Sequence, residues 1–164
     1  MVRFRSSEGF LRSCCLQVAF GTDHGGFELR VPVIEQIESL GHIVLDHGAR
    51  EYQYDDDYPD FAQAVAKSVA DGQAHRGVVL CGSGVGASIA ANKVSGVRAS
   101  VCHDVYSAIQ GVEHDDMNVL CMGARIITAD LAIELVEAFV SASFSGLQRH
   151  KRRIGKVLDI ENGR

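Results

Sequence analysis

Five short apolar runs rich in β-branched residues recur along the chain, at Leu16 to Phe20, His42 to Leu45, Gly77 to Cys81, Val97 to Cys102 and Val119 to Met122. They lie about 20 to 35 residues apart, and that interval constrains the fold more than any other feature. A hairpin needs only a few residues between strands, whereas a parallel pair needs a crossover of a dozen or more, usually a helix. The intervening stretches carry helical period. Pro59 stands where a first turn would open ahead of FAQAVAKSVA, with Gly72 placed to end that helix. Thr128 is positioned to cap ADLAIELVEAFVSA, and a basic helix is expected from about Leu147 to Glu161. Pro32, inside FELRVPVIEQIESL, either kinks that helix or delays its start.

The expected architecture is α/β: a Rossmann-like three-layer α/β/α fold with a five-stranded parallel sheet, in one domain. A length of 164 residues suits one core. Residues 16–164 are expected to form the domain and residues 1–15 to be disordered. Ligands of such sheets collect beyond the C-terminal strand ends, here the loops Thr22 to Gly26, His47 to Tyr58, Gly82 to Gly86, His103 to Asp104 and Gly123 to Ile127.

Composition removes several function classes. Apolar residues at 46% and charged residues at 23% argue against disorder and fibrous repeats. No apolar run approaches the roughly 18 residues of a membrane span. A net charge of -5 argues against a broad electrostatic hold on nucleic acid. The RHKRR cluster from Arg149 is a local exception, either a solvated helix face or an anion site. Five cysteines without CxxC spacing fit a reduced, cytoplasmic compartment.

The stretch VVLCGSGVGASIAANK carries the most chemistry. An apolar strand delivers Cys81 to its C-terminal end, followed by Gly82, Ser83, Gly84, Val85 and Gly86. Glycines let backbone amides turn toward a bound group, and the following helix adds its positive end, which suits phosphates and oxyanions. A sulfur there is a candidate base or nucleophile. Read alone, Cys81 is equally a small buried apolar residue, as Cys102 and Cys121 are expected to be. Gly82, Gly84 and Ala87 also satisfy a dinucleotide fingerprint, with Asp104 about twenty residues on. Its place in the third βα unit and the lack of room for a substrate domain weigh against that reading.

Asp23 and His24 follow the first strand, where an acid beside an imidazole can orient a hydroxyl or meet a phosphate, or simply form a satisfied loop. His114 and Asp115 precede the fifth strand as another possible pair, or as a helix cap. Seven histidines and the run Asp55, Asp56, Asp57 show no metal-ligand spacing, so no metal is expected and the aspartates are assigned to capping the helix near Pro59. GxSxG and GxxxxGK[ST] motifs are absent, which removes the corresponding hydrolase and triphosphatase classes.

Taken in order, DHGGF, CGSGVGASIAANK, EHDDMNVL and RHKRRI resemble the type B ribose-5-phosphate isomerases over about residues 16 to 160. The wider family includes galactose-6-phosphate and allose-6-phosphate isomerases. The resemblance implies an aldose–ketose isomerase that interconverts ribose 5-phosphate and ribulose 5-phosphate through an enediolate, without cofactor or metal. It also implies a homodimer whose active sites draw on both chains. By the same resemblance Cys81 is the base at C2, Ser83 relays protons between O1 and O2, and the amides of Gly82, Gly84, Val85 and Gly86 stabilise the enediolate oxygen. Asp23 and His114 match the residues that bind and open the furanose ring. His24, Arg125, Arg149 and Arg153 match the phosphate ligands, which would make RHKRR a ligand site.

Asp115, in the substrate-binding set, stands where the family commonly has asparagine, and a carboxylate beside a forming enediolate opposes the developing charge unless protonated or turned away. Family members use either a cysteine at the position of Cys81 or a glutamate at that of Ala87; alanine cannot take a proton, which indicates the cysteine subset. Two alternatives stay open at this level: the same chemistry on a hexose 6-phosphate or tetrose phosphate, and a non-catalytic dinucleotide- or phosphosugar-binding module.

Overall fold

All five apolar runs become strands of one parallel sheet in a computed structural model that describes residues 15–163. The strands are β1 (Gln17–Thr22), β2 (Ile43–Asp46), β3 (Arg76–Cys81), β4 (Ala99–Val101) and β5 (Val119–Gly123). The helices are α1 (Arg30–Ser39), α2 (Tyr58–Ala70), α3 (Val85–Ala91), α4 (Val105–Asp115), α5 (Ala129–Ser141) and α6 (Gln148–Glu161). Edge strand β4 is shorter than the Val97 to Cys102 run, although Val97 and Cys102 are themselves buried. The expectation of disorder over residues 1–15 falls, Cys15 excepted, outside the described residues.

Strand order is β2-β1-β3-β5-β4. From β1 the chain first winds outward to β2, then crosses back to β3 on the other side. The gap between β1 and β3 is therefore a switch point, where ligands of open parallel sheets bind. Register does the rest: Thr22 pairs with Leu80 and Cys81 with Gly123, so β1, β3 and β5 end almost level. Their three following loops are brought together above the sheet.

Alternation along each strand divides the apolar side chains between two faces. Phe20, Val78, Leu80, Leu120 and Met122 pack with Val33 and Ile37 of α1 and with Leu135 and Phe139 of α5. On the opposite face Ala19, Val79, Cys81, Val119 and Cys121 pack with Ala62, Val65 and Ala66 of α2 and with Ala87 and Ala91 of α3. Cys102 and Cys121 are core residues, as expected.

Pro32 is accommodated by a late start. A 3-10 turn at Phe27–Leu29 precedes α1, and the proline falls in the first helical turn, where a missing amide hydrogen costs nothing. The Thr128 hydroxyl accepts from the Leu131 amide at 3.3 Å and caps α5. At the other end of α5, the Arg76 guanidinium donates to the Phe139 and Ala142 carbonyls and lies over the Phe139 ring at 5.1 Å. Helix α6 begins one residue beyond Leu147, packs on α4, and buries only His150. No described helix is long and apolar enough to cross a membrane.

Phe139 is fully buried between α5 and the sheet, so Phe139→Ala should lower unfolding free energy by roughly 3 to 5 kcal/mol in urea titrations. A loss under about 1 kcal/mol would mean that this face is not the tightly packed one described.

Candidate active site

At the end of β3 the backbone turns sharply through Gly84, whose φ of 80° lies in the left-handed region that glycine adopts without strain. The turn brings the Gly84 amide back onto Cys81, where it donates to Sγ at 3.1 Å. Helix α3 starts at the next residue, and the Ser83 hydroxyl accepts from the Val85 amide at 3.3 Å. First-turn amides have no intrahelical acceptor, so the loop presents donors. Cys81 is only 4% exposed, yet it borders a cavity of about 310 Å³ at the switch point, shared with Asp23, His24, Ser83 and Arg125. Burial pushes up the thiols of Cys102 and Cys121, neither of which lines this cavity.

The β1 loop supplies an acid and a base. Asp23 is buried, and its Oδ1 accepts from the Gly26 amide at 3.2 Å. Burial, the largest influence, raises its carboxyl above the ordinary carboxylate range, with His24 opposing and Asp56 reinforcing the rise. His24 meets Asp56 twice: its backbone amide donates to Oδ1 at 2.9 Å and its Nδ1 lies 2.6 Å from the same oxygen. The bond to Asp56 is the main reason the imidazole holds its proton above the ordinary range, against partial burial and with help from Asp23. Nδ1 is thus committed to Asp56, and Nε2 is the nitrogen left for a ligand.

Two residues of this site were not assigned to it from the sequence. Asp56 was assigned to capping α2, but Asp57 holds the cap position without a side-chain bond, and Asp56 turns instead to His24. Tyr58, the first residue of α2, forms a wall of the cavity over Gly86, where a Cβ would sit 2.6 Å from the tyrosine ring. Asp23, His24 and Asp56 also make up the one group among the described residues whose ligand atoms lie within 4.8 Å of one another. Within it, His24 Nδ1 and Asp56 Oδ1 are hydrogen-bonded directly at 2.6 Å.

Arg125, in the loop after β5, donates its amide to the Gly82 carbonyl at 3.1 Å, and its side chain lies over Gly82 at the cavity. One cavity therefore gathers Cys81, Gly82, Ser83, Gly86, Asp23, His24 and Arg125, with Gly84 and Val85 in the loop that shapes it. His114, Asp115, Arg149 and Arg153 do not line it. They stand where α4 meets α6: His114 faces His150 at 4.1 Å between ring centroids, Arg149 donates to His150, and Asp115 and Arg153 border a separate cavity of about 520 Å³. Among the described residues, Arg125, Arg149 and Arg153 form no ion pair.

Asp104, the acid that completes the dinucleotide fingerprint, caps α4: its carboxylate accepts from the Ser107 amide at 2.8 Å and the Ser107 hydroxyl at 2.7 Å. It is occupied by the helix and does not reach toward a ribose.

A parallel sheet whose switch point gathers a thiol, a carboxyl, an imidazole and a guanidinium around one cavity defines an α/β protein with a candidate site for a small molecule. Residues 18–157 match the family model described as Ribose/Galactose Isomerase, and the chain belongs to that family. It is 40% identical over 148 residues to the ribose-5-phosphate isomerase B of Escherichia coli (strain K12), covering 90% of this chain and 98% of that one. The Clostridium thermocellum ribose-5-phosphate isomerase B structure is similar at 41% identity and a TM-score of 0.86, over 90% of this chain and 98% of that one. The Mycoplasma genitalium ribose-5-phosphate isomerase B, solved with bound ribulose-5-phosphate, is 36% identical with a TM-score of 0.85, over 90% and 97% of the two chains.

Asp56→Asn removes the charge that holds the His24 proton. Followed by NMR, the His24 imidazole should titrate lower in the variant, toward the ordinary value of about 6.5. Because the native value is raised, the pair's stabilisation is complete below the unfolded value of about 6.5 and is lost as pH climbs through the higher native one. An unchanged His24 titration would contradict the assignment.

Proposed function

We propose that this chain interconverts ribose 5-phosphate and ribulose 5-phosphate through an enediolate, with Cys81 as the carbon base. The observation that carries this reading is a sulfur held by the Gly84 amide at the floor of a cavity that also presents Asp23, His24 and Arg125. In the aldose-to-ketose direction the Cys81 sulfur takes the proton from C2 while the C1 carbonyl oxygen gains one. The same thiol then returns a proton to C1 as O2 loses its own, and Ser83 carries protons between the two oxygens. No bond is made to the enzyme.

Charge on the enediolate oxygen develops beside amides already fixed by the Gly82 to Gly86 loop. Fixed donors of this kind contribute about 3 to 4 kcal/mol each, because they need no reorganisation when the charge appears. Asp23, whose burial favours the protonated carboxyl, suits the transfer that opens the furanose ring. His24, whose hold on its proton Asp56 strengthens, and Arg125, which forms no ion pair among the described residues, suit a phosphate dianion.

The residues at α4 and α6 enter the same scheme through a second copy of the chain. In this proposal, two subunits pair so that His114, Asp115, Arg149 and Arg153 of each complete the Cys81 cavity of the other, His114 at the ring oxygen and both arginines at the phosphate. Asp115 and Arg153 border the same cavity where α4 meets α6. Unpaired arginines and separate half-sites in one chain support this arrangement.

The test uses two inactive variants. Cys81→Ala should lose at least about 100-fold in kcat, with inorganic phosphate still binding. Denatured together with His114→Ala and refolded at equal amounts, it should regain about a quarter of wild-type activity, since half the dimers would be mixed and each would hold one intact site. Near-normal turnover of Cys81→Ala would remove the base; mixtures that stay inactive would remove the shared site.

A further inference from the structure

The cluster where α4 meets α6 contains one residue that the mechanism above does not use and that the fold nevertheless buries completely. His150, in the middle of RHKRR, is 1% exposed and is the only buried residue of α6. Its neighbours in that run are charged and face solvent. A polar ring is rarely enclosed at that level unless both nitrogens are satisfied.

Here both are. The Arg149 Nε–H donates to His150 Nε2 at 3.0 Å. A guanidinium only donates, so Nε2 must carry a lone pair and the ring must be neutral, with its hydrogen on Nδ1. Nδ1 then donates to the Ser145 hydroxyl at 2.6 Å. Ser145 is itself fixed, its amide donating to the Glu113 carbonyl at 3.0 Å and its hydroxyl oxygen accepting from the Leu147 amide at 3.4 Å. The flat side of the ring lies against His114, 4.1 Å between centroids at an interplanar angle of 36°. His114 is held at its own Nδ1 by Gln110 at 3.0 Å, which leaves its Nε2 free.

We propose that neutral His150 is a positioning residue that holds Arg149 by its Nε2 and His114 by its ring face, so that the phosphate ligand and the ring-opening imidazole move as one unit. This rests on the reading that Arg149 and His114 act on the sugar phosphate. With Nε tied to His150, the Arg149 guanidinium plane is set and its terminal nitrogens remain for a phosphate, the arrangement that loses least entropy on binding. A lysine-like swing of that side chain is prevented.

The groups facing His150 keep it neutral. Burial is the largest influence, and His114 from α4 with Arg149 and Arg153 from α6 adds to it, while the Glu113 backbone opposes. The imidazole therefore stays unprotonated below the pH at which a free histidine would charge. Once charged, Nε2 becomes a donor facing another donor, and the bond to Arg149 is lost. The sign follows: grip on the phosphate is full at neutral pH and falls under acid conditions.

Three variants of the full chain test this, each assayed for KM and kcat with ribose 5-phosphate across pH. His150→Phe keeps the ring but removes both nitrogens, and should raise KM about tenfold or more while kcat falls less. His150→Gln returns an oxygen near the lost Nε2 and should recover most of that KM. Glutamine does not titrate, so this variant should also lose the part of the acid rise in KM that wild type owes to His150. Arg149→Ala separates the two levels of inference. If Arg149→Ala raises KM while His150→Phe and His150→Gln both match wild type at every pH, the positioning role is overturned. If Arg149→Ala itself leaves KM unchanged, the phosphate-ligand reading fails, and the role of His150 with it. Should His150→Phe fold poorly in urea titrations, the pH profile of His150→Gln decides alone.

Discussion

The parallel pairing of β1, β3 and β5 at their C-terminal ends is the constraint on which the site depends. Because Thr22, Leu80, Cys81 and Gly123 stand in register, three loops from distant parts of the chain meet within one small cavity. The central stretches of β1, β3 and β5 are buried against both helical layers, so a slip of one residue would send Cys81 to the other face and Leu80 toward the smaller α2–α3 layer. Burial thus sets the position of the sulfur before any polar contact does. The left-handed turn at Gly84 then adds the amide that holds it.

Electrostatics divide the labour around that sulfur. Asp23 and His24 are adjacent in sequence, yet their environments drive them apart: burial favours the protonated acid, while Asp56 favours the protonated imidazole. Two neighbouring groups whose environments push their proton affinities in this way are suited to separate tasks in one site. The same principle recurs at α4 and α6, where His150 is kept neutral so that an arginine beside it stays oriented.

Much of this was legible in the sequence, and the exceptions share a cause. Strand positions, the Thr128 cap, Pro59 in the first turn of α2, and the glycine-rich turn after Cys81 are local signals, written in residues next to the feature they create. Pro32 left two outcomes open because a proline in a first turn and one that kinks a helix look alike without knowing where the helix begins. Asp56 was misread because its partner, His24, lies 32 residues away, while the nearby helix offered a plausible use for the carboxylate. His150 was hidden in a basic run whose other members are solvated, and only the packing of α6 on α4 shows that it faces inward. Strand order was equally out of reach: the place of β5 between β3 and β4 is settled by which helices cover which face. The separation of His114 and Arg149 from the Cys81 cavity likewise has no local signature, since it depends on where α4 and α6 pack.

The central claim is that a carbon-bound hydrogen leaves the sugar as a proton to a protein base, and exchange with solvent reports that directly. Ribose 5-phosphate incubated with the protein in heavy water containing EDTA should yield ribulose 5-phosphate carrying deuterium at C1, and recovered aldose carrying it at C2, both visible by NMR. Full turnover by Cys81→Ala with no solvent deuterium in either sugar would mean that hydrogen moves between the carbons without this base, and the account built on Cys81 would be wrong.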